Sequence, residues 1–535
     1  MTILISAVTL NLNYTEQVLE FVKEEIQLNS KMISQIAAFV LYLGLMIVIG
    51  LRTTRKNNSA SDFFLGGRKM GPWITALSAE ASDSSAWLLM GLPGLCYLGG
   101  FKETFWTAIG LIVGTYLAWL IIAKPLRKCS IAFNNSITIP EFLTNRFKDK
   151  SKVLSIVSVV FIVLFFTIYT ASGFVACAKL FNSVFGLNYY IGLLIGMVII
   201  LSYTIMGGYL AVCTTDFMQG SLIFIAFVIS SVIIVFSLGG PTEAIQKVSE
   251  FSQNALNGRF GETILEKFTA NQSFSVKSAI SAFAWCLGYF GMPHIIIRFM
   301  GIRSNKEIKK ARRVGIIWMI ISYIGAILIG ALGTAYLAGK GIVLDGINGD
   351  AETVFSVTVG NMFPAFIGGI FLCGILAAAM STADSQLLAA SSAVGQDIFK
   401  NIIKKDADDK TVLLVSRITV LVIAAVAFLL SLDPNSSIFG LVSYAWAGFG
   451  GTFGPLIILA LFWKGATNKG AIAGLICGGV TVVAWHNLSG GIFDIYEILP
   501  AFIICLVVTI IVSLCDKKKD PEMLKAFEAY KAMED

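Results

Sequence analysis

Ala81-Ser82-Asp83-Ser84-Ser85-Ala86-Trp87-Leu88-Leu89-Met90-Gly91-Leu92-Pro93-Gly94 lies inside an apolar run that begins near Trp73. An aspartate, three serines and a Gly/Pro pair within a bilayer-length segment predict a helix that is interrupted part-way. A second apolar run is interrupted at Gly288-Tyr289-Phe290-Gly291-Met292-Pro293. Each interrupted run opens a group of five predicted spans, one over about 73–238 and the other over about 276–463, and the two groups begin on opposite sides of the membrane. Matched broken helices heading two inverted halves point to the binding site of a secondary transporter. The competing account is glycine packing between helices. With 50 glycines in the chain that account is strong for any single glycine and weaker for a matched pair.

The rest of the chain supports a membrane reading. Of its 535 residues, 56% are hydrophobic and 14% charged, and the mean hydropathy is +0.79. A soluble domain is closer to 25% charged, so a soluble enzyme, a disordered tail and a fibrous protein are all excluded. About thirteen runs reach the ~20 residues a spanning helix needs. They start near Met32, Trp73, Phe105, Val153, Tyr190, Ala211, Ser278, Val314, Asn361, Val412, Ser437, Gly470 and Tyr496. The basic residues cluster in alternate connections: Arg52 to Lys69, Lys124 to Lys150, Arg303 to Arg313, Lys400 to Lys410, and Lys517 to Lys519. Roughly three quarters of the Lys and Arg thus fall on one side, which the positive-inside rule makes cytoplasmic. The net charge of +7 is therefore topology and not affinity for nucleic acid. The expected organisation is an extracytoplasmic segment over 1–30, a peripheral helix over 31–52, the first repeat (helices two to six) over 73–238, an extracytoplasmic loop with short surface helices over 239–275, the second repeat (helices seven to eleven) over 276–463, peripheral helices twelve and thirteen over 470–515, and a cytoplasmic tail over 516–535. The N-terminus is expected outside and the C-terminus inside, in the plasma membrane of a bacterium. The first segment lacks a basic start and a cleavage motif, so no cleaved signal peptide is expected.

Catalytic signatures are missing. No Walker A, H-E-x-x-H or G-x-S-x-G pattern occurs, and Gly339-Lys340-Gly341 lacks the spacing of a phosphate loop. Two histidines are too few for a His-based metal site, and the nine cysteines are scattered singly. No enzyme activity, organic cofactor or obligate protein partner is expected. A sensor would need an appended signalling domain, for which the tail has no room. A channel would pass current far above the turnover of a carrier. An intramembrane aspartyl protease would need a Gly-x-Gly-Asp pattern. The nearest match to it is Gly346-Ile347-Asn348-Gly349-Asp350, in an external loop.

Carboxylates inside a bilayer are costly and functional by default. Asp83, Asp216 and Asp384 meet that description, and Glu80 lies one turn from Asp83. Sodium takes several oxygen ligands, carbonyls and hydroxyls among them. A helix break frees carbonyls, here at Ala81 and Ser84. Ser381 and Thr382 supply adjacent hydroxyls on a helix of small residues, with Ala378 one turn earlier. Serines also bond back onto the preceding turn, which would win for a lone serine but less readily for Ser381, Thr382, Asp384 and Ser385 together. Asp216, Asp384 and Ser385 are expected to hold a second cation or a shared proton. Ser85, Trp87, Tyr169, Trp285 and Tyr289 are the candidate pocket residues. Interfacial placement competes with that reading for any single aromatic, though not for Tyr289 inside a break.

The two interrupted stretches, together with Ser381-Thr382, Leu441-Val442-Ser443-Tyr444-Ala445-Trp446-Ala447-Gly448-Phe449-Gly450 and Phe64-Leu65-Gly66-Gly67-Arg68, closely resemble the sodium:solute symporter family, and within it the sodium/proline group. The likeness covers about 35–515. It implies an all-α membrane protein of thirteen helices with the leucine-transporter-like inverted five-plus-five core, moving solute by sodium-driven alternating access. It implies a sodium site at Ala81, Ser84, Ala378, Ser381 and Thr382, a sodium-linked Asp83, and Asp216 near a second cation position. Tyr169, Trp285, Tyr289 and Pro293 match substrate or gating positions. The family's Asp-Met-Ser-Gly-Trp is Asp83-Ser84-Ser85-Ala86-Trp87 here, so Ala86 brings one extra methyl to the solute. L-Proline is the expected solute, sodium the coupling ion and the lipid bilayer the remaining partner. The competing solutes are pantothenate, a sugar, sialic acid or another amino acid.

Overall fold

The computed structural model describes residues 30–50, 52, 60–254, 275–344, 350–516 and 520–533. The acidic segment expected before residue 30, part of the first basic connection (53–59), the middle of the long loop (255–274), Gly346–Gly349 and Lys517–Lys519 lie outside the described residues. Among those described there is no strand, only an isolated bridge between Met70 and Ile302.

Among the described residues, ten helices are long and apolar enough to cross a bilayer. They are Ser30–Gly50 (α1), Phe101–Ala132 (α3), Val153–Phe185 (α4), Gly208–Ser237 (the second part of Tyr189–Ser237, α5), Asn305–Ala338 (α7), Ala365–Ile403 (α8), Asp409–Leu430 (α9), Ile438–Phe462 (α10), Asn468–His486 (α11) and Ile498–Cys515 (α12). The bent pair Val276–Phe290 and Pro293–Gly301, together α6, turns by 42° at its break. The remaining two predicted runs are also helical. Pro72–Ala86 (α2) continues through a π turn, Trp87–Gly91, into Leu92–Gly99. The run from Tyr189 joins the next span in one long helix, Tyr189–Ser237 (α5), kinked at Gly208 (φ 71°, ψ 177°). Only glycine enters that backbone region without penalty, so the kink falls where the sequence permits it.

Burial orders the helices from centre to rim. The apolar windows of α8 and α10 are 78% and 89% buried, those of α1 and α12 only 28%. The cause is composition. α8 reads Ile-Leu-Ala-Ala-Ala-Met-Ser-Thr-Ala-Asp-Ser across residues 375–385, and small side chains let neighbouring backbones approach. It packs against α2, α4 and α5. α3 approaches α6 in the same way. A Cβ on Gly114 would stand 2.7 Å from both the Cys286 Cα and the Tyr289 ring.

Two expectations change in detail. Pro93 does not interrupt its helix: it sits near the N-terminus of Leu92–Gly99, and the break falls earlier, at Ser85 (φ 45°, ψ −179°). The tail forms a helix, Pro521–Ala532 (α13), N-capped by Asp520. Met523, Phe527 and Tyr530 on its apolar face are buried. Arg146 sits 4.5 Å over the Phe527 ring and donates to the Ala460 carbonyl, while Lys128 donates to the Met533 carbonyl.

Candidate functional site

The Ser85 backbone turns α2 aside, and the carbonyls just before the turn are met by side chains of other helices. Ser381 Oγ on α8 lies 2.9 Å from the Ala81 oxygen and 3.2 Å from the Ala378 oxygen. Thr382 Oγ1 donates to the Ser82 oxygen at 2.9 Å, and His294 Nε2 lies 3.2 Å from the same oxygen. Ala81, Ala378, Ser381 and Thr382 therefore gather at one α2–α8 seam. Ser84 behaves differently. Its hydroxyl bonds back to the Glu80 carbonyl at 2.6 Å, leaving only its backbone for any ligand. Among the described residues no group of three or more His, Cys, Asp or Glu could hold a metal. A cation bound here would be held by carbonyls and hydroxyls, a donor set suited to a hard monovalent ion.

Asp83 points away from that seam. Its Oδ2 accepts from the Tyr289 hydroxyl at 2.5 Å, and its carbonyl lies 3.5 Å from the Tyr169 hydroxyl. Tyr289 is in the 3-10 turn that precedes the α6 break. The two broken helices are thus joined at their breaks by an aspartate–tyrosine bond. Around it the aromatics close ranks. Trp87 lies 5.2 Å from Trp285 and 5.9 Å from Phe439, and Trp446 packs edge-on to Tyr289 at 5.0 Å. Trp446 Nε1 donates to the Trp285 carbonyl at 2.8 Å. Trp87 Nε1, by contrast, is buried with no hydrogen-bond partner among the described residues. A buried donor without an acceptor costs about 1–3 kcal/mol. Gly91 makes room for the indole: a Cβ there would lie 3.3 Å from the same nitrogen. Ser85 Oγ accepts from the Trp87 backbone N–H, Ala86 is buried beside them, and Pro293 opens the second arm of α6, where its missing N–H costs nothing.

The acidic pair expected to hold a second cation is in a different setting. Asp216 Oδ2 accepts from Ser78 (2.7 Å) and Ser82 (3.1 Å) and pairs with Arg298 Nη2 at 3.2 Å. The same nitrogen donates to Ser385 at 2.5 Å, and Ser385 in turn reaches Asp384 Oδ1 at 3.3 Å. Arg298 is 1% exposed and Asp216 and Asp384 are 0%. The positive charge facing these carboxylates is thus a guanidinium of the chain itself. Sequence reasoning missed Arg298, although Ile-Ile-Ile-Arg-Phe is an arginine inside an apolar run and the rule applied to the carboxylates flags it equally. It missed Lys179 for the same reason. That buried ammonium, near the end of α4, pairs with Asp350 (2.5 Å) and Glu352 (2.7 Å). Glu352 also accepts from the first N–H groups of α10, at Ile438 and Phe439, a favourable place for a carboxylate.

Glu80 is 1% exposed, with Oε1 held by Trp119 Nε1 at 3.1 Å and Oε2 without a partner among the described residues. Arg68, from the Phe64–Arg68 motif, donates to the carbonyls of Met300 and Ser136 and so fastens the start of α2 to α6. Burial and the nearby Arg127 lower it to about 10, which leaves it charged at neutral pH.

Comparison with known proteins gives the family and the fold. A model of the Sodium:solute symporter family matches residues 63–478. The chain is 42% identical over 487 residues to the high-affinity proline transporter of Bacillus subtilis, covering 91% of this chain and 99% of that one. It is 41% identical over 492 residues to the sodium/proline symporter of Escherichia coli, covering 92% and 95%. It is 41% identical over 481 residues to the osmoregulated proline transporter of Bacillus subtilis, covering 89% and 94%. Among solved structures, a sodium-coupled sialic acid symporter superposes with a TM-score of 0.72 at 20% identity, covering 91% of this chain and 99% of that one. A nucleobase-cation-symport-1 family transporter in a closed conformation gives 0.55 at 12% identity, covering 89% and 99%. These two likenesses establish the leucine-transporter-like fold.

Proposed function

The chain belongs to the sodium:solute symporter family, and on that footing we propose that it imports L-proline with sodium across a bacterial plasma membrane by alternating access. Identity above 40% over nine tenths of the chain with carriers named for proline favours that solute over the other solutes of the family. Thirteen crossings, with the N-terminus outside and the C-terminus inside, fit the charge asymmetry of the connections. The halves 73–238 and 276–463 form the inverted repeats, and α1, α11 and α12 flank them.

The observation that carries the mechanism is the joining of the two broken helices through Asp83 and Tyr289, beside a buried indole N–H that lacks an acceptor among the described residues. Proline is a compact, puckered ring with three apolar methylenes, a ring ammonium and a carboxylate. Trp87, Trp285, Tyr289 and Tyr169 supply apolar walls for the ring, and Trp87 Nε1 supplies a donor for the carboxylate. Ala86 sets the width. Sodium takes the carbonyls of Ala81, Ser84 and Ala378 with the hydroxyls of Ser381 and Thr382, which turn from their present carbonyl partners to the ion. Bound there, it ties α2 to α8 and holds the Ser85 turn in the shape the solute needs. Solute in turn presses on Tyr289, and through it on Asp83. The coupling is reciprocal: each ligand raises the other's affinity by the same factor. Inward movement of one sodium charge is driven by about 2.3 kcal/mol per 100 mV of membrane potential, besides its concentration gradient.

Uptake of radiolabelled L-proline into proteoliposomes tests this. An inward sodium gradient should drive accumulation above equilibrium, and collapsing the gradient should abolish it. Accumulation that ignores sodium would refute the reading.

A further inference from the structure

A polar cavity of about 380 Å³ opens on the predicted cytoplasmic side, among the α3–α4 connection, the start of α4 and the end of α8. Its volume falls within the range of small-molecule pockets. Its walls carry both signs of charge. Glu141 and Asp397 contribute carboxylates, and Lys152, Lys400 and Lys405 contribute ammonium groups. Asp397 is fully buried, and both its oxygens lie within 2.9 Å of a single hydroxyl, that of Thr138. One hydroxyl proton serves one oxygen at a time, so the carboxylate is under-supplied with donors. Thr144 also lines the cavity. It is 8% exposed, and its hydroxyl has no partner among the described residues. A buried carboxylate short of a donor and a buried hydroxyl with no bond at all are costly unless water or a ligand completes them, and both stand ready for a ligand's polar groups.

The mixed walls select the ligand. A simple anion would meet two carboxylates, and a simple cation would meet three ammonium groups, of which Lys400 is already tied to Asp409 at 2.8 Å. A small zwitterion satisfies both, with its ammonium toward Asp397 and its carboxylate toward Lys152 and Lys405. The geometry points to this cavity as a second, sodium-independent binding site for a small α-amino acid, occupied from the cytoplasm. Asp397 lies thirteen residues beyond Asp384 on α8, about 20 Å at the helical rise, so the site is distinct from the Ser381–Thr382 seam. That the amino acid is proline rests on the function proposed above.

Equilibrium binding of radiolabelled L-proline to the purified full-length carrier in sodium-free medium is the test. We expect a saturable component whose affinity falls at least tenfold in both Thr144→Val and Lys405→Gln, while both variants retain sodium-driven uptake and are therefore folded. Acetate and pyrrolidine, which carry one charge each, should compete poorly. No saturable sodium-free binding, binding unchanged in both variants, or displacement by acetate or pyrrolidine alone as effective as by proline would each overturn the site. Sodium-driven uptake without sodium-free binding refutes this site alone. Sodium-free binding without sodium-driven uptake refutes the central reading and leaves this one standing.

Discussion

Arg298→Gln is the most informative single change, because the structure gives Asp216 a protein countercharge where the sequence suggests a bound cation. The guanidinium donates to the His294 carbonyl, Ser78, Ser82, Asp216 and Ser385, and both charged partners are essentially without exposure. Removing one member of a buried pair costs about 3–5 kcal/mol, mostly by stranding the other charge. Arg298→Gln should therefore lower the melting temperature of the purified carrier sharply, and Asp216→Asn should do the same by stranding Arg298. The double variant should recover much of the loss, with a coupling of about 2 kcal/mol or more, toward the upper range for residues in direct contact. Melting curves of the four proteins, each with and without saturating sodium, supply the cycle. If sodium were the normal countercharge of Asp216, it would stabilise the wild type through that carboxylate, and Asp216→Asn would lose that part of the stabilisation while Arg298→Gln kept it. A sodium effect that depends on Asp216 and not on Arg298, or a double variant whose loss is the sum of the singles, would refute the pairing.

Three further outcomes follow from the same geometry. Ser381→Ala and Thr382→Ala each remove one hydroxyl from the α2–α8 seam; at about 1.4 kcal/mol per tenfold, a lost ligand should raise the sodium concentration for half-maximal uptake by tenfold or more, and unchanged sodium dependence in both would misplace the site. Ala86→Gly should admit bulkier proline analogues, since one methyl is worth about 1–3 kcal/mol of discrimination; an identical competition panel before and after removes residue 86 from the pocket. Gly114→Ala drives a methyl against Cys286 and Tyr289 across the α3–α6 contact, so uptake should collapse even if the variant reaches the membrane, and near-normal uptake would show that this contact opens during transport.

Much of the fold is legible in the sequence because a bilayer reduces the problem to counting apolar runs and weighing their flanking charges. That two helices are broken is legible because Gly/Pro clusters recur at matched places, heading both predicted halves, where packing of a single glycine is the weaker account. Partnerships across the fold are not. Asp216 and Arg298 are 82 residues apart, and Lys179 and Glu352 are 173 apart; no periodicity joins such pairs, and only the packing of α5 and α4 against their neighbours does. Both cations stand out as charges inside apolar runs, and attention to carboxylates alone hides them. The position of the α2 turn is illegible for a local reason. Pro93 attracts notice as a breaker, yet near a helix start it is harmless, while Ser85 carries the turn without any residue type that announces it. The α13 helix escapes a sequence reading because a charged tail has no bilayer pattern, and its apolar face has meaning only against the ends of α3 and α10 and the α3–α4 connection that it covers.

Ser85 also bears on how fast such a carrier can work. A serine at φ 45° and ψ −179° occupies backbone territory that is comfortable only for glycine, at a cost of order 1–3 kcal/mol. The bond from the Trp87 N–H to its side chain and the surrounding burial keep it there. A transporter is limited by its deepest resting state, since whatever stabilises one stage of the cycle must be climbed out of at the next. Strain at the turn shallows the buried arrangement around Ser85. A glycine at residue 85 would relax it, and the carrier would gain durability in detergent while losing turnover.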